Sequence, residues 1–449
     1  MQKLISKYGL AAHLALLAVA PLFLSPVCVL WLSLIGAIWL VMAPSRIGDE
    51  YLHEARRRVI REIYTDPFFW LSLLVVAYAA IRCGNGGITL RYDAEMTKWM
   101  IVGPGMELLP GSVDGFGFSE FALTIALMVV LQGCRHAMGL SARMSFCVMA
   151  TLFAGYGALV LAVALGTGSP DVLALAACNT VRPAYLGSAF GVYLSLGVIA
   201  LLAVFERKWF LMVLPMMLAI GGCMAGLFLF APVFAQMMFG AALALTLAYA
   251  FFYARRTMSH AGEFRYLVVF FLSVVIGGIV VLLTFSERDL QARLAEWTAG
   301  TLLGSETSEL RATLDSLSFS IWKSAPWLGK GLGSFPLALK FCATDSDWML
   351  IPPEQMAPLN GYWQLLTERG IVGAVFVACP LAFLLWTYGR RAAKGLLVRL
   401  PHPLCWVGPL SLFAALAEMA FDVSYALPGV MLAVAATVSL SAGSFPKEK

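Results

Sequence analysis

The most informative stretch of this sequence is MSFCVMATLFAGYGALVLAVAL, residues 144–165, which carries no charged side chain. A second such stretch, residues 266–285, reads YLVVFFLSVVIGGIVVLLTF. About 20 consecutive apolar residues allow an α-helix to cross roughly 30 Å of hydrocarbon. Of all 449 residues, 60% are hydrophobic and 13% are charged, whereas about a quarter of the residues in an average soluble protein are charged. The sequence therefore predicts a polytopic membrane protein and excludes a soluble globular one.

Hydropathy predicts an all-α fold with about twelve transmembrane helices. The predicted spans lie near residues 9–25, 27–43, 68–82, 118–134, 144–165, 185–205, 209–230, 233–254, 266–285, 371–388, 403–420 and 428–442. With the N-terminus placed inside, most lysines and arginines fall on the cytoplasmic side, as the positive-inside rule requires. The inner segments are marked by Arg56, Arg57, Arg58, Arg61, Arg135, Arg143, Arg207, Lys208, Arg255, Arg256, Arg265, Arg390, Arg391, Lys394, Arg399, Lys447 and Lys449. Both termini are thus predicted to be cytoplasmic, and the first helix is predicted to be an uncleaved span.

The spans divide the chain into three parts. Residues 1–285 hold the predicted spans one to nine, residues 286–370 form a long extracytoplasmic loop, and residues 371–449 hold the last three spans and a cytoplasmic tail. The middle part is far longer than the few-residue connections typical of packed helices. We therefore expect the outer loop to carry the function.

Cysteine and histidine offer little chemistry on the outer side. The nine cysteines form no CxxC pair, so metal ligation has no support. Cys83, Cys178 and Cys342 fall in predicted outer loops, where a disulfide between two of them and unpaired thiols are both open alternatives. The topology excludes a histidine base from the outer loops, because it places all five histidines inside or near the inner face: His13, His53, His136, His260 and His402.

The outer loop is predicted to contain two helices joined by an irregular stretch. A helix over about 306–324 is predicted from the helical spacing of Leu310, Leu314, Leu317 and Ile321. Pro326 ends this helix, and a glycine-rich turn at residues 329–333 follows it. A second amphipathic helix is predicted from about residue 359 into the tenth span.

Outer arginines are candidate ligands for an anionic substrate. Arg182 directly precedes a proline at the start of a span, and Arg311 lies on the predicted 306–324 helix. A guanidinium grips phosphate oxygens two at a time, so both residues suit a lipid-linked pyrophosphate. For any single arginine, an exposed solubilising charge is the alternative.

The glycine turn and the acid near the tenth span each allow two interpretations. The turn that contains Lys330, Gly331 and Gly333 either presents backbone amides to an anion as a nest or is a close-packed connection. Glu368 either orients an acceptor or anchors the end of a helix. The spans hold fewer acids than an ion-coupled pump would need.

The order and spacing of the outer-loop residues resemble a known family pattern. Arg311 on a helix precedes Trp322, which is followed by PWLGKGLGSF at 326–335 and by LNGYWQLLTERG at 359–370, leading into a span. This pattern resembles the O-antigen ligase and polymerase superfamily of membrane glycosyltransferases. Arg182 resembles the arginine that this family carries in its shorter outer loop.

The resemblance implies a GT-C-like protein of the bacterial inner membrane that needs no metal or cofactor. It implies an undecaprenyl-diphosphate-linked glycan as donor and a glycan, lipid or protein as acceptor, with membrane lipids and no nucleic acid as further partners. Arg182 and Arg311 would be the catalytic residues that hold the diphosphate as it leaves. The residues expected to bind substrate are Lys330, Gly331, Gly333, Asn360 and Glu368.

The sequence departs from the family at one position that matters for mechanism. Where ligases of the family carry a histidine proposed to activate the acceptor, this chain has Leu359, which cannot take a proton. We therefore prefer a polymerase or an unclassified ligase-like transferase. The alternatives are a polysaccharide or lipid-linked glycan transporter or flippase, and a non-catalytic family member that binds the lipid-linked glycan.

Overall fold

The structure of the protein is a computed structural model, and it is mostly helical. Apart from a few isolated positions, it describes residues 2–20, 24–42, 50–93, 98–103, 109–113, 115–138, 140–167, 190–198, 200–201, 212–231, 233–257, 308–351, 357–398, 404–420 and 428–442. In chain order the elements are α1 (Gln2–Val19), α2 (Pro26–Met42), α3 (Glu50–Thr65), α4 (Pro67–Gly84), β1 (Thr89–Asp93), β2 (Lys98–Val102), α5 (Phe116–Gln132), α6 (Leu140–Thr167), α7 (Val213–Phe230), α8 (Val233–Thr257), α9 (Ser308–Ser324), α10 (Phe335–Cys342), α11 (Asp345–Trp348), α12 (Gly361–Val398), α13 (Leu404–Met419) and α14 (Pro428–Ala442).

Three of the described helices are long and apolar enough to cross a membrane: Pro67–Gly84, Phe116–Ala137 and Gly361–Thr387. Shorter apolar helices are Tyr8–Val19, Pro26–Leu40, Val213–Leu229, Val233–Thr246 and Cys405–Met419. A mostly helical protein with helices apolar enough to cross a membrane is therefore confirmed, but the predicted number of twelve spans is not. Of the predicted span 185–205 only the centre is described, and the predicted span 266–285 lies almost entirely outside the described residues.

The apolar helices pack around α1, which contacts α2, α5, α6 and α14. Ala11, Leu14 and Leu17 of α1 are fully buried in this core. Where α6 meets α7, small residues let the two backbones approach closely, since a Cβ on Gly155 would lie 2.5 Å from the Ala219 Cα. Close approach at small residues is the usual basis of helix packing within a membrane.

The outer loop has a small hydrophobic core of its own, separate from that of the apolar helices. The predicted 306–324 helix is confirmed as α9, and its predicted apolar stripe is the face that is buried. The core consists of Leu310, Leu314, Leu317, Ile321, Phe335, Ala338, Leu339, Ile351 and Leu359. A core of this kind means that the loop folds into a defined shape instead of lying unstructured on the membrane surface.

A two-stranded ribbon between α4 and α5 corrects the all-α prediction. Strands β1 and β2 pair antiparallel, with Thr89 opposite Val102 and Asp93 opposite Lys98. Each strand has five residues, too few for alternation to stand out beside strongly apolar neighbours. The ribbon lies between the predicted spans 68–82 and 118–134, in a segment for which hydropathy predicts no helix.

Asp66 ties the beginning of α4 to the end of α5. Its carboxylate accepts the amide of Phe68 at 3.1 Å and so caps α4. Arg135 Nε and His136 Nε2 lie 2.7 and 2.9 Å from Asp66 Oδ2. Burial is the largest single influence on the pKa of Asp66 and opposes ionisation, but His136, Arg135 and the Phe68 amide together outweigh it and lower the pKa. The carboxylate is therefore the charged centre of a buried network.

Replacing Asp66 should destabilise the protein strongly. In Asp66→Asn the half-buried Arg135 loses its counter-charge and His136 loses the carboxylate that contacts its Nε2, so we expect the free energy of unfolding to fall by about 3–5 kcal/mol. Because the pKa of Asp66 is lowered, its contribution is present at neutral pH and is lost only as the pH falls through a value below the ordinary 3.8. Reversible denaturation by sodium dodecyl sulfate measures the difference. Asp345→Asn, at an exposed carboxylate, is the control, and an equal effect of both variants would contradict the network.

Candidate functional site

The glycine turn begins where α9 ends and makes its closest contacts with α12. Gly329, Gly331 and Gly333 all have positive φ, at 70°, 102° and 72°. A Cβ on Gly329 would lie 2.5 Å from the carbonyl carbon of Glu368 and 2.6 Å from the amide nitrogen of Arg369. Backbone lies against backbone here, so only glycine fits this position.

α12 is broken at Gly370, where φ is 63° and ψ is −171°. The break removes the intrahelical partners of the carbonyls just before it. The glycine turn replaces them, because the Lys330 amide donates to the Thr367 carbonyl at 2.8 Å and the Gly331 amide donates to the Glu368 carbonyl at 3.1 Å. The turn thus caps the end of the first half of α12.

The residues just before the glycine turn cap the beginning of the second half of α12. The Ile371 amide donates to the Pro326 carbonyl at 2.9 Å, and the Val372 amide donates to the Trp327 carbonyl at 3.0 Å. Gly370 sits inside this exchange, and a Cβ there would meet the Trp327 carbonyl oxygen at 2.3 Å. Turn and helix therefore satisfy each other's backbone groups on both sides of the break.

A third neighbour of the turn is the segment that leads into α5. Leu332 donates its amide to the Gly111 carbonyl at 3.1 Å and accepts the Val113 amide at 2.9 Å. The amides of Lys330, Gly331 and Leu332 are thus engaged within the protein, which favours the close-packed alternative for the turn.

Beside the turn lies a buried cluster of charges. Arg369 Nη2 lies 2.9 Å from Glu120 Oε1, and Arg82 Nη1 lies 3.5 Å from the same oxygen. Arg82 is fully buried, and Glu120 and Glu368 are 7% and 4% exposed. The Arg82 guanidinium also lies over the ring of Tyr78, 5.6 Å from its centroid. Both cations lie against the Glu120 carboxylate, where α4, α5 and the first half of α12 meet.

Sequence reasoning singled out none of Arg82, Glu120 and Arg369. The available signal was that Arg82 and Glu120 lie in or at the edge of strongly apolar segments, where an ionisable residue is costly and needs a partner. The sequence could not show that these residues meet, because they lie on three different helices.

Arg311 is half-buried on α9 and contacts the segment before α12. Its Nη1 donates to the Leu359 carbonyl at 3.0 Å. The Leu359 side chain is 4% exposed and belongs to the core of the outer loop. Asn360 caps α12, because its Oδ1 accepts the Tyr362 amide at 3.0 Å. Leu359 is therefore a buried packing residue.

The predicted site residues fall into two groups in the structure. Arg311 meets the segment that holds Leu359 and Asn360, while Gly331 meets Glu368. Lys330 joins the second group through its backbone and has an exposed side chain, and Gly333 lies against Phe116. Arg182 lies outside the described residues, as does Cys178. Cys83 and Cys342 are free thiols, so no disulfide joins those two.

Comparison with known proteins adds no relative. No protein-family model matches the chain, and no curated protein matches it either. The geometry above is therefore the basis for assigning a function.

Adding a methyl group at the break of α12 should destabilise the fold. In Gly370→Ala the new Cβ overlaps the backbone at Trp327 and is strained at positive φ, so we expect a loss of about 2–5 kcal/mol in the free energy of unfolding. Gly389→Ala is the matched control on the same helix, because a Cβ there meets nothing within 4 Å. It should be neutral or slightly stabilising. Denaturation of the purified proteins distinguishes the two, and a harmless Gly370→Ala would contradict the interlocked backbone.

Proposed function

We propose that this chain is a membrane glycosyltransferase that moves a glycan from undecaprenyl diphosphate to an acceptor at the extracytoplasmic surface, in the manner of O-antigen polymerases and ligases. The proposal is supported by one observation above all. The described residues between Arg311 and Gly370, which carry the sequence resemblance, form a folded unit with its own core, and this unit leads directly into the apolar helix α12. A simple connection between two spans would not need a hydrophobic core of its own.

Arg311 is the residue of this unit best suited to an anionic donor. Its guanidinium is anchored through Nη1 on the Leu359 carbonyl and stays half-buried at the loop surface. A partly desolvated, oriented arginine stabilises negative charge better than a solvated one. In the proposed reaction it holds the diphosphate of the donor, with Arg182 as its expected partner.

The proposed chemistry is displacement at the anomeric carbon. An acceptor hydroxyl forms the new bond to this carbon, the bond to the diphosphate oxygen breaks, and the released lipid diphosphate takes up the hydroxyl proton. Leu359 supplies no base, so acceleration rests on holding the two substrates together and on stabilising the leaving diphosphate.

A non-catalytic role is the second candidate, and the burial of Leu359 favours it. A side chain packed in a core neither contacts substrate nor exchanges a proton. In this case the same outer unit would bind the lipid-linked glycan and present it to another enzyme.

The surface glycan profile of a deletion strain tests the proposal. We expect the polymer to be lost or shortened, restored by the intact chain, and not restored by Arg311→Ala or Arg311→Gln. The glutamine variant keeps a polar side chain with an N–H donor but is shorter and carries no charge, so rescue by it would show that the charge of Arg311 is not needed. Lys323→Ala on the same helix is the control and should rescue fully. An unchanged profile in the deletion strain would remove the transferase proposal.

Thiol labelling tests whether the unit faces outward. Cys342 is an exposed thiol on α10, and in a variant without the other cysteines we expect a membrane-impermeant maleimide to label it in intact spheroplasts. Burial raises the pKa of the Cys342 thiol, so labelling should quicken as the pH rises. Arg57→Cys in a background that lacks all nine native cysteines, at an exposed position of α3, should react only after permeabilisation. The reverse pattern would place the unit on the cytoplasmic side.

A further inference from the structure

Three aromatic rings gather where α9 meets the beginning of α12. We call Phe319, Trp322 and Trp363 the aromatic patch. The ring centroid of Phe319 lies 5.8 Å from that of Trp322 and 5.9 Å from that of Trp363, and the two tryptophans are 6.3 Å apart. Phe319 is 47% exposed, so the patch opens to its surroundings instead of closing into the core.

Polar atoms without a protein partner accompany this patch. Within the part of the chain that the structure describes, Trp322 Nε1 and Asp315 Oδ1 are enclosed and have no hydrogen-bond partner. The same holds for Oε1 of Gln364, the neighbour of Trp363 in the sequence. Enclosed polar atoms in folded proteins are nearly always satisfied, so the Asp315 acceptor and the Trp322 donor on this helix are groups that a bound molecule would satisfy.

The patch continues the face of α9 that begins with Arg311. Asp315 lies four residues after Arg311, and Phe319 lies eight residues after Arg311. The three side chains therefore lie along one side of the helix. Trp322 is about 16 Å beyond Arg311 along the axis. A chain that extends from a diphosphate at Arg311 would therefore pass Asp315 and then reach the rings.

We propose that the aromatic patch, with Asp315 and the Trp322 indole N–H, is the subsite that binds the sugar rings of the glycan. This assignment rests on the proposed function and names the part of the substrate that the protein recognises away from the diphosphate. A sugar ring has apolar C–H faces that stack on aromatic rings and hydroxyls at its edge that both donate and accept. Asp315 accepts such a hydroxyl, and Trp322 donates to one.

A lipid headgroup region fits this face less well. Aromatic side chains at a membrane interface need only their rings and an outward polar tip. Here the Asp315 carboxylate oxygen and the Trp322 indole N–H are enclosed without a protein partner, and the acyl chain of a lipid would leave them unsatisfied. A ligand with hydroxyls around an apolar face satisfies both groups.

Titration of the full-length protein in detergent micelles with defined carbohydrates tests the subsite. The probes are chitotriose, maltotriose and the polysaccharide released by mild acid from the surface of the producing strain, with binding followed by saturation-transfer NMR. We expect at least one probe to bind and Phe319→Leu to weaken it about threefold to tenfold. Trp322→Phe, which keeps an aromatic ring and removes the N–H donor, should also weaken it.

Phe341→Leu is the matched control, because Phe341 is 45% exposed on α10 of the same outer unit. It should leave binding unchanged. No binding of any probe, or equal weakening by Phe319→Leu and Phe341→Leu, would overturn the subsite.

The subsite and the proposed function fail in different ways. If the deletion strain loses polymer but Phe319→Leu restores it fully and binds every probe normally, the subsite is wrong and the transferase proposal stands. If Phe319→Leu selectively loses carbohydrate binding while the deletion strain keeps an unchanged surface, the subsite stands and the transferase proposal falls.

Discussion

The backbone exchange around Gly370 is the constraint on which the outer part of this protein depends. A helix that breaks inside an apolar protein leaves carbonyls on one side and amides on the other without partners, and each such group is costly to bury. The glycine turn supplies amides, from Lys330 and Gly331, and the residues just before it supply carbonyls, from Pro326 and Trp327. This exchange fixes the turn, and with it α9 and the face that carries Arg311.

Charge balance reinforces the same junction. Arg82 and Arg369 both lie against Glu120, and the Arg82 guanidinium reaches the Glu368 carbonyl at 3.5 Å. Removing one partner from such a group leaves an uncompensated charge in a low dielectric. At the opposite end of α4, about 27 Å away for its eighteen residues, Asp66 makes an equivalent contact with Arg135. The α4–α5 pair is thus held at both ends by charges and between them by apolar packing.

The sequence predicts local features of this fold well and long-range ones poorly. Leu310, Leu314, Leu317 and Ile321 were sufficient to predict α9 and its buried face, because a helix repeats its pattern within a few residues. Pro326 and the glycines marked the turn for the same reason. The break of α12 at Gly370 could not be predicted, since it depends on a turn some forty residues earlier in the sequence. Arg82 was hidden because one charge barely changes the hydropathy of an apolar helix.

Candidate site residues show the same division. Arg311 and the glycine turn stood out by residue type and order, and Asn360 through the family resemblance. What each one contacts could not be predicted: the glycine turn lies against the backbone at Glu368, and Leu359 is buried in a core. The aromatic patch was equally hidden, since Phe319 and Trp322 lie on one helix and Trp363 lies on another.

The interlocked turn also has a consequence for the order in which the protein matures. Residues 326–331 leave the ribosome before residues 367–372, so the turn emerges with its amides and carbonyls still bound to water. It reaches its final shape only when the helix that contains Gly370 has been synthesised and inserted. Biogenesis of the outer unit is therefore coupled to insertion of a later span, and a chain truncated before α12 would expose an unfinished loop to quality-control proteases.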